Sequence, residues 1–504
     1  MTADNKERSI TTTQAFYLDD QSRTLFPLKT NSILVTHGEA DIRAFIDECL
    51  IDDEGHSFLP QLRVYAAKPN LHLRRTVKLD VVAEYYLYDV IFRNRRLFRK
   101  PHVKNRSHYG YRFEAGLPIN PSAAYKAFKT ALAEYSSQNK FSMSFDVASY
   151  FNSLYHHDLV DWFNQLGADN TDSKGLSQML RQINSGRSVD CLPQGIYPAK
   201  MIGNDFLRFV ENFHGLASKH VVRFMDDIYI FSDSSKDIAN DFQTIQRLLG
   251  DRGLSVNPQK TKQNTVGHVT IDQEIDEVRR TLLARRRLLI TQGYNEAGEE
   301  IVDEYLFRHP LSSRELSYVD ALLSKSDIEE EDAELILTIM RDHARRVEQR
   351  IPDILSKFPH LAKNVYTFCA RLPNKEFIAD IILAVTRDGD ALMEYQLFWM
   401  GAMLEDYLME TSKAAAVIAN LFNHRSATSL TKAKILEIAD TRFGLQDLRN
   451  QYLQTGQSEW LGWSSAVGSR KLNSTSRNYM LGYFKNSSPM NRLISKIVAK
   501  LPST

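Results

Sequence analysis

Adjacent carboxylates are the side chains in this 504-residue sequence best suited to chemistry. Set side by side, they repel each other when bare and bind hard divalent cations through their oxygens. Three Asp-Asp pairs occur: Asp19-Asp20, Asp52-Asp53 and Asp226-Asp227. The first sits in Tyr17-Leu18-Asp19-Asp20 and is followed by the polar run Gln21-Ser22-Arg23-Thr24. The second sits in a polar loop, Ile51-Asp52-Asp53-Glu54-Gly55. Only Asp226-Asp227 is enclosed by β-formers, Val221-Val222-Arg223-Phe224 before it and Ile228-Tyr229-Ile230-Phe231 after it. Those runs predict a hairpin with the acids at its tip. Burying two carboxylates there is costly unless a cation compensates.

Asp146 is the natural third member. It ends Phe141-Ser142-Met143-Ser144-Phe145, whose period-two alternation predicts a half-buried strand. Taken singly it reads as a helix N-cap. It lies 80 residues before Asp226, enough for two helices and a return strand. Brought together, Asp146, Asp226 and Asp227 are expected to hold two Mg²⁺ ions, with Mn²⁺ as a substitute. Such a pair activates a hydroxyl and neutralises a leaving pyrophosphate.

The elements that must position these acids fall into two halves. Up to about Thr270, short β-like runs alternate with helices; Asp237 to Leu249 has helical spacing, stopped by Gly250 and Gly253. Beyond that the pattern is helical in successive amphipathic segments, with loops at Gly293–Gly298 and Asp388–Asp390. We therefore expect an α+β part over residues 1–270 and an all-α, HEAT-like part over 271–504. An irregular helical bundle is the plainer form of the second. With 63 basic and 62 acidic side chains the net charge is +1, which excludes a uniformly basic coat but not a basic groove. Arg93 to Arg106 holds seven Lys/Arg and no acid, and Arg279, Arg280, Arg285, Arg286 and Arg287 form a second cluster. Cys49, Cys191 and Cys369 are too dispersed for a disulfide scaffold or a zinc site. No run approaches the roughly 18 apolar residues of a membrane span, and no apolar signal core opens the chain. We expect a cytoplasmic protein away from membranes.

Several further strings stand in a telling order. Phe145-Asp146-Val147 through Phe151 is followed by Leu192-Pro193-Gln194-Gly195 with Ala199 and Ile202-Gly203-Asn204. Then come Phe224-Met225-Asp226-Asp227 and Gly253-Leu254-Ser255-Val256-Asn257-Pro258-Gln259-Lys260-Thr261. Upstream stands Ser107-His108-Tyr109-Gly110-Tyr111-Arg112-Phe113. Over residues 70–265 this order resembles the fingers and palm of a reverse transcriptase. Phe224 stands where that family usually has Tyr, and Ala199 where it usually has Ser. Nothing after Val266 resembles a primer grip and thumb. A palm joined to a long helical half is similar to the bacterial abortive-infection (Abi) reverse transcriptases of the AbiK type.

The resemblance implies phage defence in a bacterial cytoplasm and untemplated DNA synthesis from dNTPs, primed by a protein hydroxyl. It also implies a single-stranded, covalently attached product and a homo-oligomer. A Tyr is the expected acceptor, and none of the 22 is singled out by sequence. It implies metal ligation by Asp146, Asp226, Asp227 and the Val147 carbonyl. Phe151 would exclude a ribose 2′-hydroxyl, Gln194 and Gly195 would underlie the nucleotide, and Lys260 would meet the leaving pyrophosphate. Arg74, Arg75 and Lys78 are candidates for a triphosphate clamp. Arg93, Arg95, Arg96, Arg99 and Lys100, interleaved with Phe92, Phe98 and Tyr109, are candidates for nucleic-acid contact. His156-His157-Asp158 has neither zinc nor triad spacing and reads as a turn into a helix. Trp460 and Trp463 read as core. A template-copying reverse transcriptase of retron or intron type, an RNA-dependent RNA polymerase disfavoured by Phe151, and a helical scaffold with a dead palm are the alternatives.

Overall fold

A computed structural model of the protein describes residues 10–50, 56–98, 105–265, 277–292, 309–325, 327–388 and 392–502. The pair Asp52-Asp53, Arg99 and Lys100, the expected loops at 293–298 and 389–390, and the expected boundary near 270 lie outside them.

The chain opens with helices α1 (Thr13–Gln21) and α2 (Lys29–Leu50), the hairpin β1 (Leu62–Ala67) and β2 (Leu73–Lys78), and helix α3 (Val81–Arg93). Asp80 caps α3 by accepting the Val82 and Ala83 N–H groups. Apolar residues cover nearly the whole circumference of α3, and such a helix has to be central; Val81 to Phe92 are all buried. Its buried tyrosines need partners for their hydroxyls. Tyr88 finds Asp20 at 2.5 Å, and Asp20 also accepts the Tyr197 N–H. The Asp19-Asp20 pair is thus structural: Asp19 pairs with Arg23 on the same helix and Asp20 is a buried acceptor.

Next come β3 (Arg106–Tyr109), the short pair β4 (Phe113–Glu114) and β5 (Leu117–Pro118), helix α4 (Pro121–Gln138) and β6 (Phe141–Asp146). Helices α5 (Tyr150–Ser153), α6 (His156–Gln165), α7 (Asn170–Ile183), α8 (Tyr197–Phe206) and α9 (Arg208–Glu211) follow. The expected hairpin is β7 (His220–Phe224) and β8 (Asp227–Ser232), trailed by α10 (Ser235–Gly250), β9 (Lys262–Thr265) and α11 (Glu277–Gln292). One five-stranded sheet has the order β3-β7-β8-β6-β9, with β3 parallel to β7 and the other neighbours antiparallel. Alternation sorts its residues as expected. Met143, Phe145, Ile228 and Ile230 join the main core, where Phe145 meets Phe242 of α10. Val222 and Phe231 form a second cluster with Phe128 of α4 on the opposite face.

Past β9 every regular element among the described residues is helical. The second basic cluster is used internally here. Arg279 reaches Asp332, Arg285 reaches Glu315 and Arg286 pairs with Glu334, tying α11 to the helices Ser313–Leu323 and Glu330–Ile339. The helical half also packs on the start of the chain. Phe26 meets Tyr395 and Phe398 edge-on. Glu437, fully buried, accepts the Thr30 N–H and hydroxyl and pairs with Lys434 at 2.8 Å. At Gly38 a Cβ would lie 2.4 Å from Ile497 Cδ1, so only glycine lets the helix Pro489–Ala499 approach α2 this closely. Trp460 and Trp463 are core, as expected.

This buried seam predicts that a fragment ending at residue 265 exposes α2 and loses fixed packing. The expected outcome is dye binding to exposed apolar surface and loss of the near-ultraviolet dichroism of the full chain. A fragment with native-like near-ultraviolet signal would show that the first half folds alone.

Candidate active site

Register is what assembles the site. Directly opposed residues in an antiparallel ladder project to the same face, and Asp146 of β6 is opposed to Asp227 of β8. Asp226 occupies the turn between Phe224 and Asp227, which are themselves paired. The expected hairpin is present and carries the pair, with one refinement: Asp227 begins the second strand and Asp226 alone of the two is in the turn. All three line one cleft of about 930 Å³. Phe151, Gln194, Gly195, Val147, Lys260, Arg74 and Arg75 line it too, so seven further residues expected at the site from 70–265 border the same space as these carboxylates.

The carboxylates are under electrostatic pressure. Burial, then Asp227 and Asp146, push the Asp226 carboxyl up to about 6. Burial, then Asp146, also raise Asp227. Asp146 is buried, its Oδ2 accepts from Lys260 Nζ at 2.7 Å, and its Oδ1 has no hydrogen-bond partner. Among the described residues no group of three or more His, Cys, Asp or Glu side chains is placed so that it could hold a metal ion as it stands. The donor set nonetheless fits a hard divalent cation. It is all oxygen, carries surplus negative charge, and includes a buried oxygen that nothing satisfies.

Cationic side chains also wall this cleft. Lys68, Arg74, Arg75, Lys200 and Lys260 line the cleft. Burial, then Arg74 and Lys260, lower the Lys68 ammonium, while the hydrogen bond to Asp146 raises Lys260. Asn152, unremarked in the sequence, joins the walls: its Nδ2 donates to Asp190 Oδ1, and its Oδ1 accepts from Gln194 Nε2 at 3.0 Å. Asp190 also takes Arg75 Nε at 3.1 Å and Arg63, and Thr76 donates to the Gln194 carbonyl. Phe151 rests against α8 where Gly203 leaves room, a Cβ there lying 3.0 Å from its ring. Gly195 has φ +106, and a Cβ there would lie 2.8 Å from Leu25 Cγ.

Other expected residues stand elsewhere. Lys78 is buried, paired with Glu84 at 3.2 Å and facing the Trp460 ring, and does not line the cleft. Arg93 bridges Asp89 and Asp172 at 2.7 Å each. Arg95 donates to the Phe92 carbonyl and lies over the Phe92 ring. Arg96 is exposed, while Phe92 and Phe98 are buried. An apolar ring next to a basic run has its own reason to be inside, which is why these aromatics pack into the core around Phe113 rather than offering a stacking face. His156 and His157 open α6, in line with the reading of a turn into a helix. Missed altogether was Arg223, fully buried and paired with Glu211 of α9, whose carboxyl burial would raise but Arg223 and His108 hold down at about 2. A charge inside an apolar strand run was the signal.

Residues 97–285 match the family model for reverse transcriptase (RNA-dependent DNA polymerase), and this part of the chain is a reverse transcriptase domain with a nucleotidyltransferase fold. No curated protein matches the sequence. Among solved structures, apo telomerase of Candida tropicalis aligns at 12% identity and a TM-score of 0.28, covering 78% of this chain and 74% of its own. Telomerase of Candida albicans, with a fragment of telomeric RNA, aligns at 13% and 0.31, covering 92% and 68%. No helix among the described residues is long and apolar enough to cross a membrane.

The raised Asp226 has a measurable consequence. Its ionised form is penalised in the folded state, so in chelator-treated protein Asp226→Asn is expected to stabilise the fold by about 1–2 kcal/mol at pH 7.5, after allowance for solvent screening. The advantage should shrink as the pH falls below about 6 and vanish well below 3.8, where Asp226 is protonated whether folded or unfolded. A denaturant titration showing the same difference at pH 3.5 and 7.5 would contradict this.

Proposed function

We propose that this protein is an Abi-type reverse transcriptase acting in anti-phage defence, which joins deoxynucleotides without a template from a protein hydroxyl. The single observation that carries the polymerase part is the shared cleft, lined by the three acids, by Lys68, Arg74, Arg75, Lys200 and Lys260, and by Phe151. The Abi part rests on the long helical half, in which we see a HEAT-like replacement for a thumb, and on the motif order of the first half. Bacterial cytoplasm and a homo-oligomer belong to the same reading.

Asp146, Asp226 and Asp227, with the Val147 carbonyl, would hold two Mg²⁺ ions, which when bound supply Lewis-acid activation of the hydroxyl and of the departing pyrophosphate. The protein's own groups do the rest. Arg74, Arg75 and Lys68 receive a triphosphate on the β1–β2 side. Gln194, fixed by Asn152 and Thr76, and the open backbone at Gly195 seat the nucleotide. Phe151 fills the space a 2′-hydroxyl would need. Lys260, 65% exposed and free to swing from Asp146, donates a proton toward the leaving group. Arg96, Arg99 and Lys100 remain candidates for contact with the growing strand. For the primer, Tyr85, Tyr86, Tyr88, Tyr150 and Tyr197 are poorly suited, because their phenols are sealed in the core. Tyr65 is 44% exposed and lines the cleft, so it is the first to test.

Purified protein given labelled dNTPs and Mg²⁺, without nucleic acid, is expected to carry label through denaturation. Label that appears only after RNA template and primer are added would favour the conventional, template-copying reading instead. Phe151→Ala is expected to raise rNTP over dNTP use by about tenfold or more; an unchanged ratio would remove its gating role.

A further inference from the structure

The turn that carries Asp226 is held from below by a charge network that the chemistry described so far does not use. Arg223, on the strand leading into the turn, is fully buried, as is Glu211. Its Nε donates to Glu211 Oε2 at 3.0 Å and its Nη2 to Glu211 Oε1 at 2.8 Å. That two-pronged pair leaves Nη1 for another task. Nη1 donates to the backbone carbonyl of Met225 at 2.7 Å and to Asn204 Oδ1 at 3.1 Å. His108 Nδ1 of β3 stands 3.0 Å from Glu211 Oε1, so the carboxylate that holds Arg223 is itself braced.

The turn needs holding. Met225 has φ +56, in the left-handed region that disfavours a side-chain-bearing residue. Its sulfur packs where Gly110, itself at φ +111, has no Cβ; one built there would lie 3.3 Å away. Asn204 closes the circuit by donating its Nδ2 to the Tyr111 carbonyl at 3.0 Å. The Met225 carbonyl belongs to the peptide plane whose N–H is that of Asp226. Fixing that oxygen fixes the plane, and the plane sets the direction in which the Asp226 side chain leaves the backbone.

We propose that Arg223, anchored by Glu211, is the positioning residue that aims Asp226 into the cleft. The proposal rests on reading Asp226 as a cation ligand. It explains why arginine stands here. A planar fork can serve both carboxylate oxygens and still reach a third acceptor, whereas a lysine ammonium has no such fixed geometry. A residue that merely braced the strand would need no bond to the turn. Glu211 neutralises the guanidinium locally, so the link to Asp226 runs through geometry rather than through charge.

The test uses the full chain carrying Arg223→Lys, Glu211→Gln or, as a control, Asp226→Asn. Three quantities are read: Mn²⁺ affinity without substrate by electron paramagnetic resonance, melting temperature, and kcat and KM for dNTP. For Arg223→Lys we expect Mn²⁺ binding weakened about tenfold and kcat lowered by about 10- to 100-fold, with KM nearly unchanged, the pattern of a misplaced group. Glu211→Gln should move the same quantities in the same direction by less. If Arg223→Lys does not fold, Glu211→Gln decides. A folded variant of either kind with wild-type Mn²⁺ affinity and kcat overturns the positioning role while the control still loses affinity. If Asp226→Asn itself leaves Mn²⁺ affinity unchanged, the cation reading of the cleft fails and the positioning role falls with it.

Discussion

Like charges held close together are the constraint on which the rest of this structure depends. Asp146 and Asp227 face each other across two neighbouring strands, with Asp226 one residue away. No folded chain keeps three carboxylates in such a space without opposing forces. One is Lys260, which reaches Asp146 from the segment after α10. Another is the rigidity of the ladder, whose two faces are covered by α4 on one side and α10 on the other. The remaining repulsion is left standing, since burial and the neighbouring carboxylates still raise the Asp226 carboxyl.

The same economy of opposing terms runs through the body of the fold. Buried acids and bases are concentrated where elements from distant parts of the chain meet. Glu84 takes Lys78 and the Tyr17 hydroxyl, and Glu437 takes Thr30 and Lys434. Each pair is costly to desolvate and costlier to break, since removing one member strands the other. Such seams specify one arrangement of the halves rather than adding much net stability. They join the β1–β2 hairpin, the central helix α3 and the helical half into one support for the cationic wall of the cleft.

Much of this was legible in the residue order. The acids, the strand ending at Asp146, the hairpin and α10 all carried period-two or helical patterning strong enough to read. The β1–β2 hairpin was not, because Arg74, Arg75, Lys68 and the exposed Leu71 and Leu73 obscure its alternation; its outer side faces the cleft rather than a core. At the start of the basic run after Arg93, the partner of one residue was hidden from the sequence. Charge density marked the run as a binding surface, yet Arg93 is matched to Asp172, 79 residues onward, and no local pattern announces a partner at that distance. Asn152 and Asp190 escaped notice for the same reason: each is unremarkable alone, and their meaning comes from meeting each other.

The contact between α2 and the helix Pro489–Ala499 carries a consequence for biogenesis. Asp41 is bonded to Lys500, 459 residues further along the chain, and Gly38 is shaped to receive Ile497. At ribosomal speeds of about 5–20 residues per second, roughly half a minute to a minute and a half passes between synthesis of the two surfaces. During that interval the part of α2 that meets the C-terminal helices lacks its native cover, although α1 and α3 already pack on the same helix. Completion of the scaffold behind the cationic wall is thereby tied to near-complete translation, so a prematurely ended product lacks the finished fold.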